Sequence, residues 1–157
     1  MQEKDAEELR QICRTALGHE TTDVHLRQRI RELTVKPQYH LAVYEDDHSH
    51  KILGFIQAEQ YELLYGGNGW NVIALAVAVD SQRQGVGRQL LQSLEELAVH
   101  GGASFIRLNC NVIRKDAHDF YRHMEYRNDK TQKRFIKSLS PGDIPELQVT
   151  RKRDNKK

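Results

Sequence analysis

The stretch Asn71–Leu91, N-V-I-A-L-A-V-A-V-D-S-Q-R-Q-G-V-G-R-Q-L-L, decides the fold of this chain. It begins with an unbroken apolar run, Val72–Val79, whose β-branched residues predict a strand buried on both faces. Asp80-Ser81 interrupts the run, and Gly85 and Gly87 then open a segment with apolar residues at helical spacing. A strand, a polar turn and a glycine-opened helix direct several backbone N–H groups at one point. We therefore expect an anion site there, suited to phosphate.

The residues around the two glycines exclude two common phosphate motifs. A P-loop carries Lys-Ser or Lys-Thr after its second glycine, whereas Arg88-Gln89 follows Gly87 here. The dinucleotide fingerprint needs a third glycine at position 90, which is leucine. The segment instead resembles the acyl-CoA pyrophosphate loop of the GNAT family of N-acetyltransferases, Q/R-x-x-G-x-G/A, matched by Gln82, Gly85 and Gly87. From these residues alone, a strand-to-helix turn without a ligand remains an alternative.

The C-terminal half of the chain extends this resemblance. Apolar and polar residues alternate in Phe105–Val112, which predicts a strand. A short amphipathic helix follows, with Asp116 as its expected N-cap and with apolar residues at i, i+3, i+4 and i+7, namely Ala117, Phe120, Tyr121 and Met124. A last strand ending in Phe135–Ser138 completes an order of elements similar to the C-terminal half of GNAT proteins. The stretch Asn111–Tyr121 looks closest to the branch that contains aminoalkylphosphonate acetyltransferases.

Upstream of the central strand, periodicity predicts two helices and a hairpin, over Asp5–Leu17, Thr22–Thr34, Tyr39–Glu45 and Ile52–Leu63. The fold class is therefore α/β, with a mixed, mostly antiparallel central sheet flanked by helices, as the resemblance to the GNAT fold implies. Members of that family generally open with a strand, but only Met1–Lys4 precede the first helix, so we expect the first strand to be missing or truncated. The Tyr39–Glu45 edge would then be covered by the segment Glu146–Arg151 or by a second copy in a homodimer. A disordered basic tail is the alternative for that segment.

Composition and charge narrow the class of protein. The 157 residues, 38% of them hydrophobic, predict one GNAT domain at residues 1–139 and a basic C-terminal tail at residues 140–157. Residues 139–157 hold five Lys or Arg against three Asp or Glu, which accounts for the whole net charge of +2. No signal peptide or membrane-spanning apolar run is evident, and Cys13 and Cys110 lack metal-ligand spacing. We expect a cytoplasmic protein without a metal and with no nucleic-acid or membrane partner.

The resemblance implies how acetyl-CoA, the co-substrate, would be held. The loop would bind its pyrophosphate through backbone N–H groups of Gln82, Arg83, Gln84, Gly85, Val86, Gly87 and Arg88. The pantetheine arm would pair with the central strand at Leu75, Val77 and Val79, and the N–H of Val77 would stabilise the oxyanion. Tyr121 would lie near the sulfur and assist the departing thiolate. From the residues alone, Phe120 and Tyr121 are better explained as core aromatics, and it is the resemblance that favours the role near the sulfur.

The general base is less well defined. Relatives often carry a glutamate eight residues before the Gln or Arg of the loop, where this chain has Ala74. The alternatives are Glu59, Tyr61 or Glu62 on the preceding strand acting through water, or an amine that arrives neutral. The family also implies a border for the acceptor pocket, formed here by Tyr65, Trp70 and Gly18–His25. An ordinary sheet-packing aromatic is the alternative for Trp70.

The expected function is acetyl-CoA-dependent N-acetylation of a primary amine by direct attack in a ternary complex. The closest-looking branch makes a small-molecule amine the expected acceptor. A protein N-acetyltransferase and a non-catalytic acyl-CoA-binding or regulatory module are the alternatives, and Ala74 is the best argument for the second.

Overall fold

The structure, a computed structural model, describes residues 1–137 and 139. It divides into two compact units, Met1–Tyr126 and Arg127–Lys157. In the second unit, the described residues 127–137 and 139 form neither helix nor strand. The expected last strand is therefore not formed there, because Lys130, Lys133, Arg134 and Lys137 leave only Phe135-Ile136 as an apolar pair. The expected tail, including Glu146–Arg151, lies outside the described residues.

The first unit contains a four-stranded sheet in the order β1-β2-β3-β4. The strands are β1 Tyr39–Glu45, β2 Ile52–Tyr61, β3 Gly69–Val77 and β4 Phe105–Leu108. β1, β2 and β3 pair antiparallel, whereas β3 and β4 pair parallel. This confirms the predicted mixed, mostly antiparallel sheet of an α/β fold, and it places β1 at an edge.

Four α-helices cover the sheet, α1 Ala6–Ile12, α2 Asp23–Thr34, α3 Val86–His100 and α4 Lys115–His123. A short 3-10 helix at Glu3–Asp5 precedes α1, so no strand forms in the described residues before it, as predicted. One π-helical segment, Cys13–Leu17, extends α1 and ends at Gly18, whose φ of 73° is left-handed. Thr22 caps α2 through its side chain, which accepts from the N–H of His25.

The helices divide the core into two layers. α3 and α4 pack on one face of the sheet, called here the α3 face, where Ile56, Leu91 and Leu94 are the largest fully buried side chains. α1 and α2 pack on the opposite face, called the α1 face, against Phe55 and Ala76. The burial of apolar side chains in both layers holds the sheet between the helices.

Three local predictions need correction. The central strand ends at Val77, because Val79 begins a 3-10 turn, Val79–Ser81, and its side chain is 58% exposed. The strand is not buried on both faces, since Ile73 is 46% exposed. Asp116 does not cap α4, which has Arg114 at its N-cap position and no side-chain cap.

Candidate active site

The central strand β3 contains a bulge at the point where its pairing with β4 ends. Gln57 of β2 lies opposite Ala74, but the next residue, Ala58, lies opposite Val72, so Ile73 is one extra residue in β3. The parallel pairing of β3 with β4 ends at this point, with Val72 opposite Leu108. Beyond the bulge β3 and β4 no longer pair, and the unpaired side of the last residues of β3 is called here the cleft.

Backbone groups of β3 face this cleft. The N–H of Ala78 donates to the carbonyl oxygen of Leu53 on β2 at 2.8 Å. Because the N–H groups of a strand alternate between its two sides, those of Leu75 and Val77 point away from β2. The Val77 carbonyl oxygen also points away from β2 and accepts from Nε2 of Gln82 at 3.5 Å. Leu75 and Val77 therefore offer N–H groups to a ligand in the cleft.

The predicted phosphate loop follows β3 at the same end of the sheet. Gly85 is the N-cap of α3 with φ 87°, a left-handed conformation that favours glycine. The first helical bond runs from the N–H of Gln89 to the oxygen of Gly85 at 3.0 Å. The N–H groups of Val86, Gly87 and Arg88 come before this bond and have no partner within the helix. They lie at the positive end of a 15-residue helix, where the sequence predicts an anion site.

Side chains of the loop differ in what they can do. Val86 is buried in the core, so only its backbone can meet a ligand. Arg83 and Arg88 are exposed. Arg83 lies 3.8 Å from the carboxylate of Asp116, with both side chains almost fully exposed, an arrangement that stabilises the fold little. Gln84 is occupied by a hydrogen bond to the Asp80 carbonyl oxygen at 3.0 Å.

At Gly87 the loop lies close to the end of β3 and to α4. A Cβ built on Gly87 would lie 3.5 Å from Cζ of Phe120 and 3.5 Å from Cγ2 of Val77. Tyr121 follows Phe120, and the two rings stack edge to face with centroids 5.2 Å apart. The structure thus brings together three predicted components, the loop, Val77 and the helix that carries Tyr121.

Tyr121 stays protonated at neutral pH. Burial, with a smaller effect of the nearby Cys110 thiol, raises its pKa to about 12, against a partial opposing effect of Arg114. The same desolvation raises the pKa of the Cys110 thiol. Sequence reasoning missed that Cys110 and Arg114 neighbour Tyr121, because the segment between β4 and α4 has no regular pattern to place them.

A row of polar side chains crosses the sheet on its α1 face. Tyr39 lies opposite Glu59, Glu59 opposite Asn71, and Asn71 opposite Arg107, one residue from each strand. Residues directly opposite one another share a face. Glu59 lies four residues after Phe55 along β2, on the same α1 face, so the whole row lies on the α1 face. All four side chains of the row are partly exposed. This row, named here the polar row, lies beside the bulge at Ile73.

Specific contacts order the polar row. Nδ2 of Asn71 donates to Oε1 of Glu59 at 2.9 Å. The Arg107 guanidinium lies over the ring of Tyr61, 4.8 Å from its centroid, and Nη2 donates to Oδ1 of Asn109 at 3.1 Å. Of the expected candidate bases, Glu59 belongs to the row, Tyr61 flanks it, and Glu62 is exposed beyond the end of β2. The alternation in β4 could have placed Arg107 on this face, but the bulge that aligns Asn71 has no sequence signal.

The residues expected to border the acceptor pocket lie in different surroundings. Trp70 is 8% exposed and packs in the core of the α3 face, where its ring meets His40 edge to face at 6.3 Å. It therefore lies on the opposite side of the sheet from the polar row. Tyr65 is 89% exposed in the loop before β3. Leu17, next to Gly18, packs in the α1-face core.

Two classes of site find no support in the described part of the chain. No group of three or more His, Cys, Asp or Glu side chains there could hold a metal ion. None of its helices combines the length and apolar character needed to cross a membrane.

Comparison with known proteins agrees with this fold. A family model described as "Acetyltransferase (GNAT) family" matches residues 4–126. An aminoglycoside acetyltransferase from an uncultured soil metagenomic sample is 19% identical, with a TM-score of 0.75 over 89% of this chain and 93% of that one. A GNAT family acetyltransferase from Staphylococcus aureus is 19% identical, with a TM-score of 0.70 over 87% and 91%. A transcriptional regulator from Bacillus halodurans is 18% identical, with a TM-score of 0.73 over 87% and 95%. At these identities the solved structures share the fold, and no curated protein sequence matches.

Proposed function

This chain belongs to the acetyltransferase (GNAT) family, and we propose that it transfers the acetyl group of acetyl-CoA to the primary amine of a small molecule. Acetyl-CoA is the co-substrate that family membership implies. Two structural relatives are named aminoglycoside acetyltransferases, which supports a small-molecule acceptor. The resemblance of Asn111–Tyr121 to the aminoalkylphosphonate branch supports the same class.

The observation that carries this proposal is the cleft beyond the bulge. Leu75 and Val77 present N–H groups there, and the unpaired N–H groups of residues 86–88 follow at the same end of β3. An extended pantetheine arm can pair with the strand while the pyrophosphate meets the start of α3. Gly87 keeps open the space between Val77 and Phe120.

The chemistry is direct acyl transfer. The neutral amine nitrogen attacks the thioester carbon, a C–N bond forms, and the negative charge that develops on oxygen meets the N–H of Val77. The C–S bond then breaks, and CoA leaves as a thiolate near Tyr121. A phenol with a pKa of about 12 holds its proton more tightly than a thiol of pKa about 8.5. Tyr121 therefore stabilises the thiolate by donating a hydrogen bond rather than by giving up its proton.

Glu59 is the residue best placed to receive the amine proton. It stands on the α1 face, one strand away from β3, and Asn71 fixes its carboxylate at 2.9 Å. Its neighbour in the next row, Gln57, lies opposite Ala74, the position where relatives often carry the acid. Adjacent strands are about 4.8 Å apart and alternate residues about 6.8 Å apart. One water molecule would therefore bridge the Glu59 carboxylate to an amine that lies next to Ala74.

A non-catalytic acyl-CoA-binding module is the second candidate, because Ala74 removes the acid from its usual position. An acceptor amine on a protein is a third. Calorimetry with acetyl-CoA tests binding, and release of CoA thiol with a panel of amines, including an aminoglycoside and a lysine peptide, tests transfer. Binding together with amine-dependent release supports the proposal, whereas binding without release from any amine supports the module.

The edge position of β1 supports a homodimer, in which the edges of two copies pair. Light scattering on the full chain would give the mass in solution. A cytoplasmic location remains a prediction from the sequence.

A further inference from the structure

We propose that Arg107 recognises an anionic group, a carboxylate or a phosphoryl group, on the acceptor amine. This inference rests on the proposed function, since it assigns the acceptor class of the same site. Arg107 belongs to the polar row, beside the bulge and on the same face of the sheet as Glu59, the proposed acceptor of the amine proton. It is therefore a specificity residue, separate from the groups that meet the reacting atoms.

The Arg107 guanidinium is held in place but not neutralised. Its planar group lies 4.8 Å from the centroid of the Tyr61 ring, and Nη2 donates to Oδ1 of Asn109 at 3.1 Å. Every ion pair within 4.0 Å in the described part of the chain involves other residues, so no carboxylate there cancels its charge. A half-buried guanidinium with free donors is suited to a planar or tetrahedral oxyanion.

Asn71 keeps the two charges of the row apart. Glu59 and Arg107 lie on β2 and β4, on either side of Asn71, so their backbones are two strand spacings apart, about 9.6 Å. The amide of Asn71 donates to Glu59 rather than to an anion. The row therefore presents a carboxylate on one side and a guanidinium on the other, which suits a zwitterion with an amine and an acid.

The polar row lies close to the cleft along β3. Asn71 lies opposite Glu59 and Leu75 lies opposite Ile56, so the bulge leaves three residue steps, about 10 Å, between the row and the cleft-facing N–H of Leu75. The guanidinium contacts the Tyr61 ring on one side and Asn109 on the other. An arginine side chain together with a short amino acid can span the distance from the row to the cleft.

Pairs of amines that differ in charge test this inference. β-Alanine is compared with propylamine, and phosphoethanolamine with ethanolamine, as acceptors for wild type, Arg107→Gln and the control Arg29→Gln. Arg29 is an exposed residue of α2 paired with Glu32, so its replacement removes the same charge away from the sheet. We expect wild type to favour the anionic member of at least one pair by tenfold or more in kcat/KM. Arg107→Gln should lower that value about ten- to a hundredfold and leave the neutral partner within twofold.

Direct binding keeps this test separate from the test of catalysis. Calorimetry of β-alanine and phosphoethanolamine with the CoA-loaded protein measures recognition whether or not transfer occurs. Anion-dependent binding lost in Arg107→Gln and kept in Arg29→Gln supports the inference even if no amine releases CoA, which would overturn only the proposed transfer. A preference for the neutral amine, or an equal loss for both members of a pair in a folded Arg107→Gln, overturns the role of Arg107.

Discussion

Replacement of Tyr121 by phenylalanine removes one hydroxyl from the cleft and keeps the ring, so it tests the role of the phenol in isolation. Burial raises the pKa of Tyr121 to about 12, so the residue acts through a hydrogen bond to the leaving thiolate. A hydrogen bond to a charged group contributes about 1.5–3 kcal/mol. At about 1.4 kcal/mol for each factor of ten, kcat should fall roughly ten- to 150-fold. Edge-to-face packing on Phe120 is retained, so the melting temperature should change little.

The assay is the initial rate of CoA thiol release at saturating acetyl-CoA and amine. Tyr126→Phe is the matched control, because the Tyr126 hydroxyl donates to Oε1 of Glu95 at 3.0 Å and its loss should lower stability rather than rate. The pKa of Tyr121 also predicts no loss of activity from its ionisation between pH 7 and pH 10, since the phenol keeps its proton there. A Tyr121→Phe enzyme with the wild-type kcat would refute the reasoning and make Tyr121 a core aromatic.

Three further changes test other parts of the molecule. Gly87→Val adds two methyl groups beyond a Cβ that already lies 3.5 Å from Phe120, so calorimetry should show at least a tenfold loss of acetyl-CoA affinity, with near-native circular dichroism. Glu59→Gln keeps an oxygen that accepts from the Asn71 amide but removes the carboxylate that would take the amine proton, so kcat at pH 7 should fall roughly a hundredfold. An unchanged kcat would show that Glu59 is not the general base. Asp46 has its pKa lowered by hydrogen bonds from Ser49, so Asp46→Ala should destabilise the hairpin above about pH 4, and urea unfolding should show this difference disappearing as pH falls through the lowered pKa.

The elements that sequence reasoning predicted best are those with a strong local signal. The strand Tyr39–Glu45 was predicted with its observed bounds, and the first helical segment ends at Leu17 as expected, with Gly18 in a left-handed conformation after it. α3 was predicted because Gly85 and the following apolar residues mark both its start and its buried face. Short-range periodicity and glycine conformation suffice for such elements.

The parts that were missed depend on contacts between distant segments. The bulge at Ile73 inserts one residue in β3 and decides which side chains share a face with Ala74, yet the apolar run of the sequence passes through it without interruption. Trp70 was left open between the acceptor border and sheet packing, and strand register places it in the α3-face core. The polar row, including Arg107, exists only once four strands are aligned.

Single-turnover mass spectrometry tests direct acetyl transfer most directly. The full chain is loaded with acetyl-CoA labelled in its acetyl group and mixed with excess amine, and both protein and amine are analysed after one turnover. The account predicts the label on the amine and none on the protein, because burial raises the pKa of the Cys110 thiol beside Tyr121 and leaves it a poor nucleophile. Label on the protein as an intermediate, or bound acetyl-CoA that no amine consumes, would contradict direct transfer in the cleft.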